Sequence, residues 1–138
     1  MGIELCRIVD LPTVTDTRGS LTFIEATQHV PFEIRRVFYL YGVSEEKGRG
    51  GHALKSCKQM LIPLSGVFDV IVDDGSTREK YHLHARNRGL YIPPCIWREL
   101  VNFSPDSVCM ALASEHYSEE DYLRNFTEFL DHTRRLRV

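Results

Sequence analysis

From Leu21 to Ala113 the chain runs as short β-branched and aromatic segments broken by turn residues, with no amphipathic helical stretch between them. The strongest are RRVFYLYGV (35–43), KQMLIPLSGVFDVIVDDG (58–75), GLYIPP (89–94) and SVCMALAS (107–114). Gly66 follows Pro63 and Ser65 and predicts a turn from one strand into the next, and DDG at 73–75 predicts a hairpin. In KYHLHAR, Tyr81, Leu83 and Ala85 share one face and His82 and His84 the other, which is the solvent face. Parallel strands need long crossover connections, usually helical, and none is visible here. The spacing therefore predicts an all-β sandwich or barrel.

The pattern changes only near the end. Ser118 precedes EED and an apolar set at helical spacing, Tyr122, Leu123, Phe126, Phe129 and Leu130, with basic residues at 134–137. One C-terminal helix is expected over about 118–135, packed on the sandwich by its aromatic face. With 138 residues and 43% hydrophobic content, the chain has room for one domain spanning 1–138.

Charge and composition narrow the function. Seventeen Lys and Arg against nineteen Asp and Glu give a net charge of −2 with no block of like charge, which argues against nonspecific nucleic-acid binding. No apolar window is long enough for a membrane span, and the opening MGIELCRIVDLP carries Glu4 and Arg7 where a secretory signal needs an apolar run. A cytoplasmic protein is expected. Cys6, Cys57, Cys95 and Cys109 include no CxxC pair and read as reduced thiols, not as a disulfide or zinc framework.

The informative stretch is GHALKSCKQMLIPLSG, which resembles the first signature of the cupins, small jelly-roll barrels. His52, Leu54, Gln59 and Gly66 fall at the offsets of its His-x-His, Glu and Gly, and Pro93, Arg98 and Asn102 at those of the second signature. Metal-binding cupins converge three His and one Glu from these positions on one ion. Here only His52 survives: leucine cannot ligate, glutamine is a poor neutral ligand, and a guanidinium repels a cation. The pattern therefore points to a metal-free, cationic barrel suited to a polar or anionic organic ligand.

A longer ordered set is more specific. DTRGSL (16–21), PFEIRRVFYLYGV (31–43), RGGHALK (49–55), Gln59, VDDG (72–75), GLYIPPCIWREL (89–100) and LASEHYSEEDYLRNF (112–126) resemble the thymidine-diphosphate-sugar 3,4-ketoisomerases, the WxcM-like cupins. The resemblance spans about residues 7–130. It implies a jelly-roll homodimer without cofactor that moves the keto group of dTDP-4-keto-6-deoxyglucose from C4 to C3. Its products would feed amino-sugar synthesis for surface glycans such as lipopolysaccharide and S-layer glycan.

Two departures bear on mechanism: the family's usual RGxHAHK is RGGHALK here, and its usual Trp-His is Trp97-Arg98. Catalysis would rest on His52 as proton carrier, with Tyr39 as partner and Arg98 stabilising the enediolate. Arg18, Arg36, Lys55, Gln59 and Trp97 are the substrate-contact candidates, Lys55 at the rim and Trp97 either stacking on the ligand or filling core. Strand period alone leaves open whether Arg35 or Arg36 enters the cavity; the resemblance favours Arg36. The departures also admit a non-catalytic sugar-nucleotide-binding cupin, or a 3,5-epimerase-like enzyme on the same substrate class.

Overall fold

The computed structural model describes residues 2–137. Twelve strands follow a short 3-10 turn: β1 (Arg7–Asp10), β2 (Thr13–Asp16), β3 (Gly19–Thr22), β4 (Arg36–Tyr41), β5 (Arg49–Leu54), β6 (Gln59–Ser65), β7 (Phe68–Asp73), β8 (Arg78–Leu83), β9 (Arg88–Ile92), β10 (Trp97–Val101), β11 (Val108–Ala113) and β12 (Tyr122–Leu123). A helix, α1 (Phe126–Leu136), ends the chain. Two five-stranded antiparallel sheets, in the orders β1-β9-β6-β11-β4 and β12-β5-β10-β7-β8, form the all-β architecture expected from the turn spacing and the jelly roll implied by the cupin resemblance; β2 and β3 pair only with each other.

Turn chemistry and strand period explain this frame. Gly66 has φ +70°, and a Cβ there would lie 2.7 Å from the Ser107 Cβ, so only glycine makes the tight turn between β6 and β7. Inward side chains of both sheets, among them Leu61, Phe68, Val70, Leu90, Ile92 and Phe103, fill the interior, with Phe68 and Phe103 stacked at 4.9 Å. The outer face of the first sheet buries Met60, Ile62, Tyr91 and Leu112 against Val30 and Phe32 of the preceding loop. On the outer face of the second, α1 packs Phe129 and Phe126 over Ala53 and Trp97.

The helix is shorter than expected. Residues 119–121 form a 3-10 turn, Tyr122 and Leu123 pair with Leu54 and Ala53 of β5, and α1 starts after Asn125. The Asn125 side chain accepts the Glu128 backbone N–H at 3.1 Å, capping the first turn. Ser118 makes no capping bond. The reason for the later start is the open edge of β5, whose backbone groups β12 satisfies. Of the apolar set, Phe126, Phe129 and Leu130 are helical, while Tyr122 and Leu123 belong to the sheet.

Candidate active site

Between the sheets lies a cavity of about 520 Å³. Alternation decides what enters it. In β4 the even positions Arg36, Phe38 and Leu40 face in, which settles Arg36 over Arg35. Arg35 instead donates to the Ser114 carbonyl at 2.9 Å. In β10, Arg98 and Leu100 face in while Trp97 faces α1.

A bulge aligns the two central residues. In the β5–β10 register Arg98 stands opposite His52 and Glu99 opposite Gly50, leaving Gly51 unpaired at φ +73°. The turn-to-strand glycines of RGGHALK thus place His52 across from Arg98. Arg98 is 1% exposed and keeps its charge through neutral carbonyl partners. Its Nη1 donates to Gln59 Oε1 at 2.8 Å, and Nε and Nη2 donate to the Ile96 carbonyl at 3.3 and 3.2 Å. Burial pulls its pKa down to about 10, which leaves it cationic at neutral pH.

His52 is driven neutral. Burial, then the positive charges of Arg98 and Arg124, lower its pKa to about 3. Its ring lies 5.0 Å from that of Tyr122. In the cavity lining, two buried donors have no partner among the described residues: Arg36 Nε and Gln59 Nε2. Because Gln59 Oε1 is held by Arg98, the amide cannot flip to hide its N–H group, which waits for an acceptor. Arg36 also stacks its guanidinium on Phe38 at 5.1 Å and on Tyr117 at 5.6 Å.

The mouth is built by the segment after β11. Arg124 donates to Glu119 at 2.7 and 2.8 Å and lies 4.2 Å over the Tyr122 ring. Tyr117 Oη donates to Glu119 at 2.6 Å. These bonds hold the Glu119 carboxyl down at about 2. Arg36, Arg49, Arg98 and Arg124 all line the cavity. A cavity so cationic favours an anionic, oxygen-rich ligand. The donors do not fit a metal: His52 stands among guanidinium groups, and no cluster of three metal-ligating side chains exists among the described residues.

Of the residues expected in the site, His52, Arg36, Gln59 and Arg98 come together; four do not. Tyr39 is 61% exposed on the outer face of β4, tilted against Tyr41 at 5.8 Å, because its odd position opposes that of Arg36. Trp97 is 5% exposed and wedged against Phe126 and Phe129 at 5.2 and 5.8 Å, its indole N–H donated to Glu99 at 2.8 Å. Lys55 sits in the exposed turn after β5, outside the cavity. Arg18 caps the β2–β3 hairpin, its side chain 88% exposed and paired with Asp16 at 2.6 Å.

Sequence reasoning missed Tyr117, Tyr122 and Arg124: the last two were absorbed into the expected helix, and Tyr117 lies just before it. The signal was present: Asn125 followed three residues later by Glu128 marks a helix start beyond Arg124.

Comparison with known proteins agrees with this geometry. The FdtA family, described as WxcM-like, C-terminal, matches residues 4–134. A TDP-4-oxo-6-deoxy-alpha-D-glucose-3,4-oxoisomerase from Aneurinibacillus thermoaerophilus is 40% identical over 123 residues, 89% of this chain and 88% of that protein. The WlaRB TDP-quinovose 3,4-ketoisomerase from Campylobacter jejuni superposes with a TM-score of 0.90 at 43% identity, covering 94% of this chain and 99% of that one. A mutant of the 3,4-ketoisomerase QdtA from Thermoanaerobacterium thermosaccharolyticum, in complex with TDP-4-keto-6-deoxyglucose, gives a TM-score of 0.93 at 32% identity and covers 96% of both chains. This chain belongs to the FdtA, WxcM-like family.

Proposed function

We propose that the protein is a sugar 3,4-ketoisomerase that moves the keto group of TDP-4-keto-6-deoxyglucose from C4 to C3. The observation that carries this reading is a neutral His52 set beside a buried, carboxylate-free Arg98 on the neighbouring strand of the same sheet. Keto migration between adjacent carbons passes through an enediolate, which needs a base to take the C3 proton and positive charge where the oxygen becomes anionic. His52 supplies the first and Arg98 the second. The unpartnered Gln59 Nε2 and Arg36 Nε donate to ligand oxygens, and Arg49 and Arg124 at the mouth attract the diphosphate.

The chain acts as a homodimer in this reading. Val14, Leu21 and Phe23 of the hairpin region, with Val37, Tyr39 and Tyr41 on β4, expose apolar surface that a second copy would cover. Arg18 would then meet ligand only across that interface. A cytoplasmic location fits the nucleotide-sugar substrate, and no helix among the described residues is long and apolar enough to cross a membrane.

Proton NMR of the purified protein with TDP-4-keto-6-deoxyglucose in D2O tests the assignment. The expected result is loss of the C3 proton and growth of a 3-keto product, both abolished in His52→Asn, with the C5 proton retained. Exchange at C5 would convert the reading to epimerisation. TDP binding with no exchange at all would make the protein a binding module.

A further inference from the structure

We propose that Tyr122 is the oxygen-side acid and base of the reaction, moving a proton between O4 and O3 of the sugar while His52 moves one between C3 and C4. This rests on the isomerase reading above.

Keto migration has two proton accounts to balance. His52 takes the C3 proton, the C–H electron pair forms the C3–C4 double bond, and the carbonyl pair moves onto O4, which must be protonated to become a hydroxyl. In the second half the O3 hydroxyl gives up its proton, its bonding pair becomes the C3 carbonyl, the double-bond pair takes the proton from His52 at C4, and the chain returns to its starting state. Leu54, where a second imidazole would stand, can serve neither oxygen.

The cavity offers few proton carriers. Its arginines are cations that neutralise charge without giving up a proton at neutral pH. The Cys109 thiol is pushed up to about 12 by burial. The Tyr117 hydroxyl is committed to Glu119 at 2.6 Å. Tyr122 differs from all of these. Its hydroxyl has no hydrogen-bond partner among the described residues, its side chain lines the cavity, and its ring lies 5.0 Å from that of His52. Strand β12 holds it there: Tyr122 pairs with Leu54, two residues along β5 from His52, and its ring packs on the apolar surface that Leu54 provides. Arg98, the register partner of His52, lines the same cavity, so one ligand can meet the phenol and the guanidinium together. The phenol that carries the oxygen proton thus leans on the leucine that replaced an imidazole. A neutral phenol that gives a proton to O4 and takes one from O3 ends each turnover unchanged.

The test compares wild type, Tyr122→Phe and a protein carrying 3,5-difluorotyrosine at position 122. Tyr122→Phe keeps the ring and its packing, and TDP affinity by calorimetry reports an intact site. We expect kcat to fall about 100-fold or more with KM within a few-fold. The wild-type kcat profile should show a basic limb that Tyr122→Phe lacks and that fluorination moves to lower pH. A purely structural role would not move that limb. Tyr122→Phe turnover within a few-fold of wild type, or a limb unmoved by fluorination, overturns the assignment alone. An inactive wild type sinks it together with the isomerase reading.

Discussion

Burial and the nearby guanidinium groups hold His52 neutral down to about pH 3, and that has a measurable effect on folding as well as on chemistry. An unfolded histidine binds its proton near pH 6.5, the folded one only near 3, so between these values the unfolded state holds the extra proton. Stability is therefore full above pH 6.5 and falls as pH drops through that window, by up to about 1.4 kcal/mol per pH unit from this group. Urea unfolding of wild type and His52→Gln at pH 7 and pH 5 should show a smaller acid loss in the variant. Arg98 tests the opposite trade. Its buried charge has no carboxylate to offset it, so replacing the pair by apolar groups in Arg98→Met/Gln59→Leu should hold or raise the melting midpoint while abolishing turnover. At this scale the sequence was legible where a motif offset fixed both strand and facing, as at His52, Gln59 and Arg98. It was not legible for Tyr39 together with Arg36. Residues three apart on one regular strand face opposite ways, so only one of them could enter the cavity, and period alone could not say which.

Among the elements, α1 and β12 show how one stretch of sequence can satisfy two periods. Tyr122 and Leu123 fit a helical stripe with Phe126 and Phe129, yet the open edge of β5 draws them into the sheet, and the helix waits for the Asn125 cap. Competition of this kind lies in tertiary pairing, which local pattern does not encode. Trp97 shows the same limit, since a tryptophan beside a cavity residue reads equally as a stacking platform or as packing. Its place under α1 predicts that Trp97→Ala costs about 3–5 kcal/mol of stability, measured by denaturant unfolding, with KM of the folded fraction unchanged. A large rise in KM with stability intact would return Trp97 to the ligand.

For the whole molecule, an all-β sandwich or barrel could be read from turn spacing, because glycine, proline or paired acidic residues mark the ends of strands such as β6, β7 and β9. What covers the sheets from outside could not. The first sheet is capped by the loop before β4 and the second by α1, while Val37, Tyr39 and Tyr41 remain open. If a second copy closes that surface, light scattering after gel filtration should give twice the chain mass, and Tyr39→Glu should shift the population towards monomer. An unshifted dimer would place the interface elsewhere.

The alternation along β5 and β10 has a further consequence for how this barrel can change. His52 and Arg98 face the ligand, and their immediate neighbours Ala53 and Trp97 grip the helix. Reactivity and adhesion are thus written on alternate letters of the same two strands. New substrates can be explored by editing one set while the other keeps the fold closed, and a swap such as histidine to leucine at position 54 can be absorbed without loosening the wall that holds it.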